Sequence, residues 1–446
     1  MTAGAGIPPS THFLARDGEL YCDGVPLSRV AEEAGTPTYV YSGEAIDVAY
    51  RVIDEALSFA PHLVAYAVKA NSNLAVLARL ARAGAGADIV SGGELARCLQ
   101  AGMPPERIVF SGVGKRDEEI EAALKAPIRS IHVESIQEVD AVERVAARLG
   151  VRAPISLRIN PDVDPETHPY IATGLHHTKF GLELAVARGL LGRVLASEAL
   201  LLEGVTCHIG SQIGTASSMT EAVEITARFA RECAEAGAPL RSLDAGGGWP
   251  IEYGDETRDY PPAHEFGQAI REGIARGGAA DLGLEILVEP GRALVGEAGV
   301  LLTRVVFVKD QPNRPEATAK PAALAGESKR FVIVDASMSE LIRPALYEAH
   351  HAIVPVREPA TDAPWRPADV VGPVCETGDW LARDRPVPPL GPGDLLALRS
   401  AGAYGMTMAS QYNARPRPAE VLVEGDQFRV VRSRETHADL WRGERV

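Results

Sequence analysis

The sequence predicts an α/β protein, a (β/α)8 TIM-like barrel with a mainly β second domain. Three observations carry this. Short runs rich in apolar and β-branched residues alternate with longer Ala/Leu/Arg/Glu stretches of helical period. Eight such runs fall within about 230 residues, close to the size of a barrel of this kind. The residues with the most reactive side chains or the most permissive backbone stand at the C-terminal ends of the runs: Lys69, His208, Gly246 to Gly248 and Glu289. Barrels build their active sites at that end, from several strands at once. An open doubly wound sheet shares the alternation, but the third observation favours the barrel.

The elements follow in order. Up to about residue 37 the texture is strand and turn (LYCDGVPLS), and this stretch is expected to join the second domain because chain ends often lie close together. The eight strand-like runs are 62–71, 86–92, 107–112, 130–135, 155–161, 204–211, 242–248 and 285–292. Between them, stretches such as 73–84, 93–102 and 138–150 carry apolar residues at i, i+3 and i+4 and finish in Gly, a common helix stop. Past residue 298, VLLTRVVFVKD, KRFVIVDAS, DVVGPVCE and DLLALRSAGAYG read as strands between Pro/Gly loops, with helical period only at 340–351. The segment 311–329 is Pro/Ala-rich without apolar period and is read as a mobile surface loop. The expected division is a barrel over 38–298 and a mainly β domain from 1–37 and 299–446.

Composition narrows the function. The 446 residues are 46% hydrophobic and 24% charged, the balance of a globular protein. The net charge of −15 argues against nucleic acid or an anionic membrane as main partner, since either needs a basic face. No basic n-region or apolar h-region opens the chain, and no run of about 18 apolar residues reads as a membrane span. The five cysteines, Cys22, Cys98, Cys207, Cys233 and Cys375, are odd in number and widely spaced without C-x-x-C. They suit reduced thiols in a cytoplasm better than a disulfide framework or a metal site.

Five constellations carry chemistry. Lys69 ends an apolar run, where an ammonium is costly to bury and must be exposed, paired or put to use. Gly246-Gly247-Gly248 lets backbone approach an anion closely, and phosphate is the usual guest; the alternative is a plain turn. Glu289-Pro290-Gly291-Arg292 sets a carboxylate at a strand end, where it can pair with a protonated ring nitrogen, beside an arginine that can fork onto an anion. His208 ends the sixth run. In the second domain, Arg343 and Tyr347 stand at i, i+4, followed by Cys375-Glu376-Thr377-Gly378-Asp379 and Ala401-Gly402-Ala403-Tyr404. A cysteine among carboxylates is not primed as a thiolate and suits proton donation. Singly, each has a structural reading as well.

In order along nearly the whole chain, these segments resemble the fold-type III pyridoxal-phosphate (PLP) decarboxylases, which share the alanine racemase-like architecture, and among them the diaminopimelate decarboxylase family. The resemblance runs through Val68 to Asn73, Val90 to Leu95, Arg158 to Val163, Thr167 to Ile171, Thr173 to Leu175, Lys179 to Gly181, His208 to Ile213, Glu289 to Arg292, Ile342 to Tyr347 and Gly372 to Glu376. It implies that Lys69 holds the cofactor covalently and that His208 stacks on its ring. Ser211, Gly246, Gly247, Gly248 and the backbone from Glu289 through Gly291 to Arg292 would bind its phosphate, and Glu289 would keep its ring nitrogen protonated. Arg292, Arg343 and Tyr347 would bind the carboxylate that the substrate keeps, and Glu376 its distal ammonium. Tyr404 would touch cofactor and substrate, and Cys375 would supply a proton. The resemblance also implies a homodimer with the active site at the interface, the Cys375 loop coming from the partner subunit. Ser337-Met338-Ser339-Glu340 departs from the family's Gly-Met-Asn-Asp type run, and Thr377 stands where Ser is commoner.

The expected reaction is decarboxylation of meso-diaminopimelate to L-lysine and CO2. Two arginines facing one carboxylate would be left unmatched by ornithine or lysine. The competing expectations are a decarboxylase of another basic or D-amino acid, a racemase of the same fold type, and a catalytically silent PLP-binding relative.

Overall fold

The computed structural model describes residues 11–164, 178–255, 259–312, 328–359 and 363–446. The resemblance segments within 165–177 and most of the loop expected at 311–329 lie outside the described residues. The chain forms two compact units, one of residues 46–251 and 258–295, the other of 1–45, 252–257 and 296–446.

The first unit is a closed parallel barrel of eight strands. They are β1 (His62–Ala67), β2 (Gly86–Ile89), β3 (Ile108–Phe110), β4 (Ser130–Val133), β5 (Ala153–Asn160), β6 (Leu200–Cys207), β7 (Ser242–Asp244) and β8 (Glu285–Val288). Each pairs with the next in parallel, and β8 pairs with β1, so no edge is left open. All eight runs expected from the sequence are strands, but several stop earlier than their apolar pattern. Lys69 lies in a 3-10 turn, Val68–Ala70, rather than on β1 itself, and the glycine run follows β7 in positive-φ turns at Gly246 (φ 72°) and Gly248 (φ 88°).

The connecting helices start where the sequence supplies an oxygen. Asn73 caps Leu74–Ala83, Ser91 caps Gly92–Gln100 and Ser135 caps Ile136–Leu149, each side chain accepting a backbone N–H of the first turn. Gly84 (φ 103°) and Gly150 (φ 65°) end the first and third in the left-handed conformation.

The second unit is a mainly antiparallel nine-stranded sheet with a small three-stranded sheet. Thr38–Ser42 pairs antiparallel with Gly299–Gln311 and parallel with Ala419–Glu424. This pairing moves the boundary from the expected 37/38 to 45/46. Phe13, Leu20, Val25 and Val30 pack in one apolar cluster with Val40, Val300, Leu302, Val354, Val421 and Val423. The expected helical stretch 340–351 shortens to Arg343–Tyr347, because Pro344 sits in the first turn and Glu348 turns left-handed (φ 54°). Gln311 and Lys329, at the ends of the expected loop, are paired strand residues. Among the described residues, no helix is long and apolar enough to cross a membrane.

Candidate active site

The barrel mouth gathers Lys69, His208, Ser211, Gly246 to Gly248, Glu289, Gly291 and Arg292 from the ends of β1, β6, β7 and β8. Lys69 Nζ donates to Asp88 Oδ2 at 2.6 Å, and Asp88, at the C-terminal end of β2, is fully buried. Burial and the nearby Glu289 raise the Asp88 carboxyl, while the Lys69 ammonium opposes them. Beside this turn, Ala67 N–H donates to Pro290 O at 3.1 Å. A Cβ on Gly291 would stand 3.0 Å from Ala70 Cβ, so the Lys69 turn and the 289–292 turn approach as closely as a glycine permits.

The glycine turn is equally confined. A Cβ would stand 2.4 Å from Cys207 O at Gly246, 2.1 Å from Glu289 O at Gly247 and 2.3 Å from Gly210 O at Gly248. Two of its N–H groups serve the turn itself: Gly246 donates to Asp244 Oδ1 (2.8 Å) and Gly247 to His208 Nδ1 (3.0 Å). The Gly248 N–H is the one of the three not engaged within the turn. Arg292, buried at the start of a short helix, donates from Nη2 to Ser211 Oγ at 2.9 Å. A guanidinium, a hydroxyl and a backbone N–H thus stand around the same rim, the donor set of an anion site.

His208 accepts from Gly247, so its Nδ1 bears a lone pair and the ring is neutral. Burial, reinforced by the Arg158 cation, pushes its pKa down to about 3. Glu289 is the opposite case. Burial disfavours its charge, but hydrogen bonding from the His132 side, with the Lys69 cation nearby, holds the carboxyl well below the usual range. Around β3 to β5, Arg158 donates to Glu134 (2.9 Å), Glu134 accepts from the Gly112 and Gly181 N–H groups, and the buried Lys115 ammonium reaches Glu138 at 2.7 Å. Burial lowers the Lys115 pKa.

The second unit gathers the other group. Arg343 is buried, with its guanidinium 4.8 Å from the Tyr253 ring centroid. Its Nη1 donates to His351 Nε2 at 2.9 Å, and His351 donates from Nδ1 to Arg399 O at 2.8 Å. Arginine cannot accept, so the tautomer of His351 is fixed. Tyr347 shares the short helix with Arg343. Cys375 and Glu376 are exposed on the loop before Trp380–Val387, where Cys375 N–H donates to Asn413 Oδ1 (2.9 Å) and Tyr412 donates its hydroxyl proton to Glu376 Oε2 (2.9 Å). The buried Asp379 ties this loop down, accepting from Met338 and Val374 N–H at 2.7 Å each. Tyr404 is half-buried with φ 55°.

The sequence reading did not assign Asp88, Ser111, His132, Asp244, His351 or Asp379. A single polar residue in an apolar strand has no spacing that marks it. Asp379 alone of these stands within one of the chemical constellations that the sequence marks, the Cys375 to Asp379 run.

Residues 45–296 match the family described as pyridoxal-dependent decarboxylase, pyridoxal binding domain. The diaminopimelate decarboxylase of Pseudomonas aeruginosa is 50% identical over 432 residues, 97% of this chain and 98% of its own length. That of Vibrio cholerae is 45% identical, over 96% and 97%. Among solved structures, diaminopimelate decarboxylase from Helicobacter pylori complexed with L-lysine superimposes with a TM-score of 0.85 at 42% identity, covering 93% of this chain and 98% of that one. The enzyme from M. jannaschii gives 0.88 at 36% identity over 98% of both chains.

Proposed function

The chain belongs to the diaminopimelate decarboxylases of the pyridoxal-dependent family, and from that premise we propose how its residues divide the reaction. The enzyme decarboxylates meso-diaminopimelate to L-lysine and CO2 with pyridoxal 5'-phosphate. The carrying observation is the barrel rim. It offers one amine, one ionised carboxylate and one anion site, the three attachments that this cofactor's aldehyde, ring nitrogen and phosphate require. The glycine turn supports the fit, because its Cβ-free surface leaves backbone, not side chain, facing the anion. The chemistry that the cofactor would supply there is an electron sink for the pair left by the loss of CO2.

The remaining chemistry belongs to the protein. Asp88 holds the Lys69 amine at the end of β1 by its 2.6 Å ion pair. Ser211, Arg292 and the Gly248 N–H bind the phosphate. His208, kept neutral, offers a flat ring without adding positive charge that would compete for Glu289. Glu289 stays ionised and so would hold a proton on the cofactor's ring nitrogen. The barrel unit is the cofactor domain, and the second unit supplies the substrate groups. Arg343 and Tyr347, with Arg292, take the retained carboxylate, Glu376 takes the distal ammonium, and Tyr404 contacts both cofactor and substrate. Orientation by these groups decides which bond at the α carbon is broken. The Cys375 thiol then returns a proton to that carbon. Five unpaired thiols suit a cytoplasm, and the exposure of Cys375 and Glu376 on their loop supports a homodimer whose partner contributes that loop.

Substrate choice follows from the arginines. A site built to pair a second carboxylate rejects an analogue lacking it by roughly 10^4–10^5. CO2 release from meso-diaminopimelate, stimulated by added PLP, with kcat/KM for ornithine lower by about that factor, is the expected result. Comparable values for the two substrates would sink the assignment.

A further inference from the structure

Beneath Glu289, inside the barrel, lie two buried polar groups for which the mechanism above has no use. His132, on β4, is 1% exposed, and Asp244, at the end of β7, is 2% exposed. The two residues and Glu289 each place a ligand atom within 4.8 Å of the others'. Their bonding fixes a direction. Ser111 Oγ lies 3.2 Å from Glu289 Oε1 and donates to it, since a carboxylate can only accept. The Ser111 oxygen therefore accepts from His132 Nδ1 at 3.1 Å, which places a hydrogen on Nδ1. In the neutral ring the other nitrogen, Nε2, then carries a lone pair. It faces Asp244 Oδ2 at 4.0 Å. Among the described residues neither atom has another hydrogen-bond partner. The second Asp244 oxygen is already occupied by the Gly246 N–H at 2.8 Å.

Two unsatisfied acceptors facing each other in a dry interior are repulsive, and each costs its desolvation. One proton between them turns this repulsion into attraction. It resides on Asp244 as a carboxylic acid or on Nε2 as an imidazolium, and either way the pair is neutral. We propose that His132 and Asp244 share one proton and, through Ser111, act as positioning residues for Glu289, leaving it the negative charge that faces the cofactor's ring nitrogen. Burial and the Glu289 charge raise the Asp244 carboxyl, in keeping with a proton there. The arrangement also explains why the glycine turn begins where it does: the same Asp244 side chain fixes the Gly246 N–H, so the anion site and the ring-nitrogen site share one anchor.

This inference rests on the assignment of Glu289 to the ring nitrogen, and the test separates the two. The protein is loaded with pyridoxal phosphate labelled with 15N at the ring, and the 15N chemical shift is read by solid-state NMR in wild type, His132→Leu, Asp244→Asn and Ser111→Ala. Wild type should show a protonated pyridine nitrogen; an unprotonated one overturns the Glu289 assignment itself. His132→Leu should move the signal toward the unprotonated position and lower kcat about 10- to 100-fold, with KM changed less than about three-fold. Asp244→Asn should keep the protonated signal, because its amide N–H would face Nε2 in place of the shared proton. Ser111→Ala, the mildest change, should shift the signal in the same direction as His132→Leu even if the latter does not fold. A wild-type shift in Ser111→Ala and in a folded His132→Leu would overturn the proposal, as would loss of the protonated signal in a folded Asp244→Asn.

Discussion

A histidine that accepts a backbone N–H must stay neutral, and His208 does so at a cost that depends on pH. Its pKa is about 3 in the fold, against about 6.5 in an unfolded chain. Between these values the unfolded chain binds the extra proton, so stability is fully present above about pH 6.5 and falls as the pH drops toward 3. From pH 7 to pH 5 the loss is about 2 kcal/mol. Replacing His208 with Phe should remove this share. The fall in unfolding free energy between pH 7 and pH 5 should be smaller in His208→Phe by about 2 kcal/mol, as read from urea unfolding at both pH values. Equal slopes in the two proteins would contradict a neutral His208. At this scale the sequence is partly legible. Lys69, Glu289 and Arg292 announce themselves because each stands beside a Pro, Gly or strand end that constrains it. Asp88, His132 and Ser111 do not, because their significance lies in what neighbouring strands bring alongside: the Lys69 partner is 19 residues away and the Ser111–Glu289 contact spans 178.

Elements convert those side chains into geometry, and the glycine turn after β7 shows how tightly. Gly247 has no positive φ to excuse its glycine, yet its Cβ would meet the Glu289 carbonyl at 2.1 Å, a backbone atom that cannot swing aside. Gly247→Ala must push β7 and β8 apart at their C-terminal ends. It should cost about 3 kcal/mol or more in stability, and because the same movement shifts Glu289 and the Gly248 N–H, the apparent affinity for PLP should fall with it. Thermal melts with and without PLP check this: a wild-type melting temperature and PLP affinity would show that the turn is looser than its contacts indicate. The sequence gives the strands themselves by their apolar runs, but overstates their length. Residues past the last ladder pair remain apolar because they pack under the rim loops, as Ala245 and Ile209 do, both buried. Periodicity therefore continues where hydrogen bonding has ended. The reverse holds at 340–351. There the helical pattern is real, but Pro344 and the left-handed Glu348 confine the helix to Arg343–Tyr347.

At the scale of the whole molecule the question is which chain completes which site. The barrel unit contains Lys69, the Glu289 carboxylate and the rim of Ser211, Arg292 and the glycine turn. The second unit contains a buried arginine oriented by His351 and an exposed loop bearing Cys375 and Glu376, held from behind by Asp379. A loop of this kind, rigid at its base and exposed at its reactive residues, suits delivery of those residues to another surface. In a two-fold homodimer whose partner contributes the Cys375 loop, as proposed, every site would take its Lys69 from one protomer and its Cys375 from the other. Lys69→Ala and Cys375→Ala homodimers should each be nearly inactive. Subunits mixed in equal amounts and allowed to exchange form hybrids in about half of all dimers, and each hybrid has one site with both residues intact and one with neither, so activity should recover to about a quarter of wild type. Were Lys69 and Cys375 of one site drawn from the same chain, every site in the mixture would lack one of them and no activity would return. The recovered fraction, measured as CO2 released from meso-diaminopimelate, therefore decides between a site shared across the two-fold axis and a site complete within each chain.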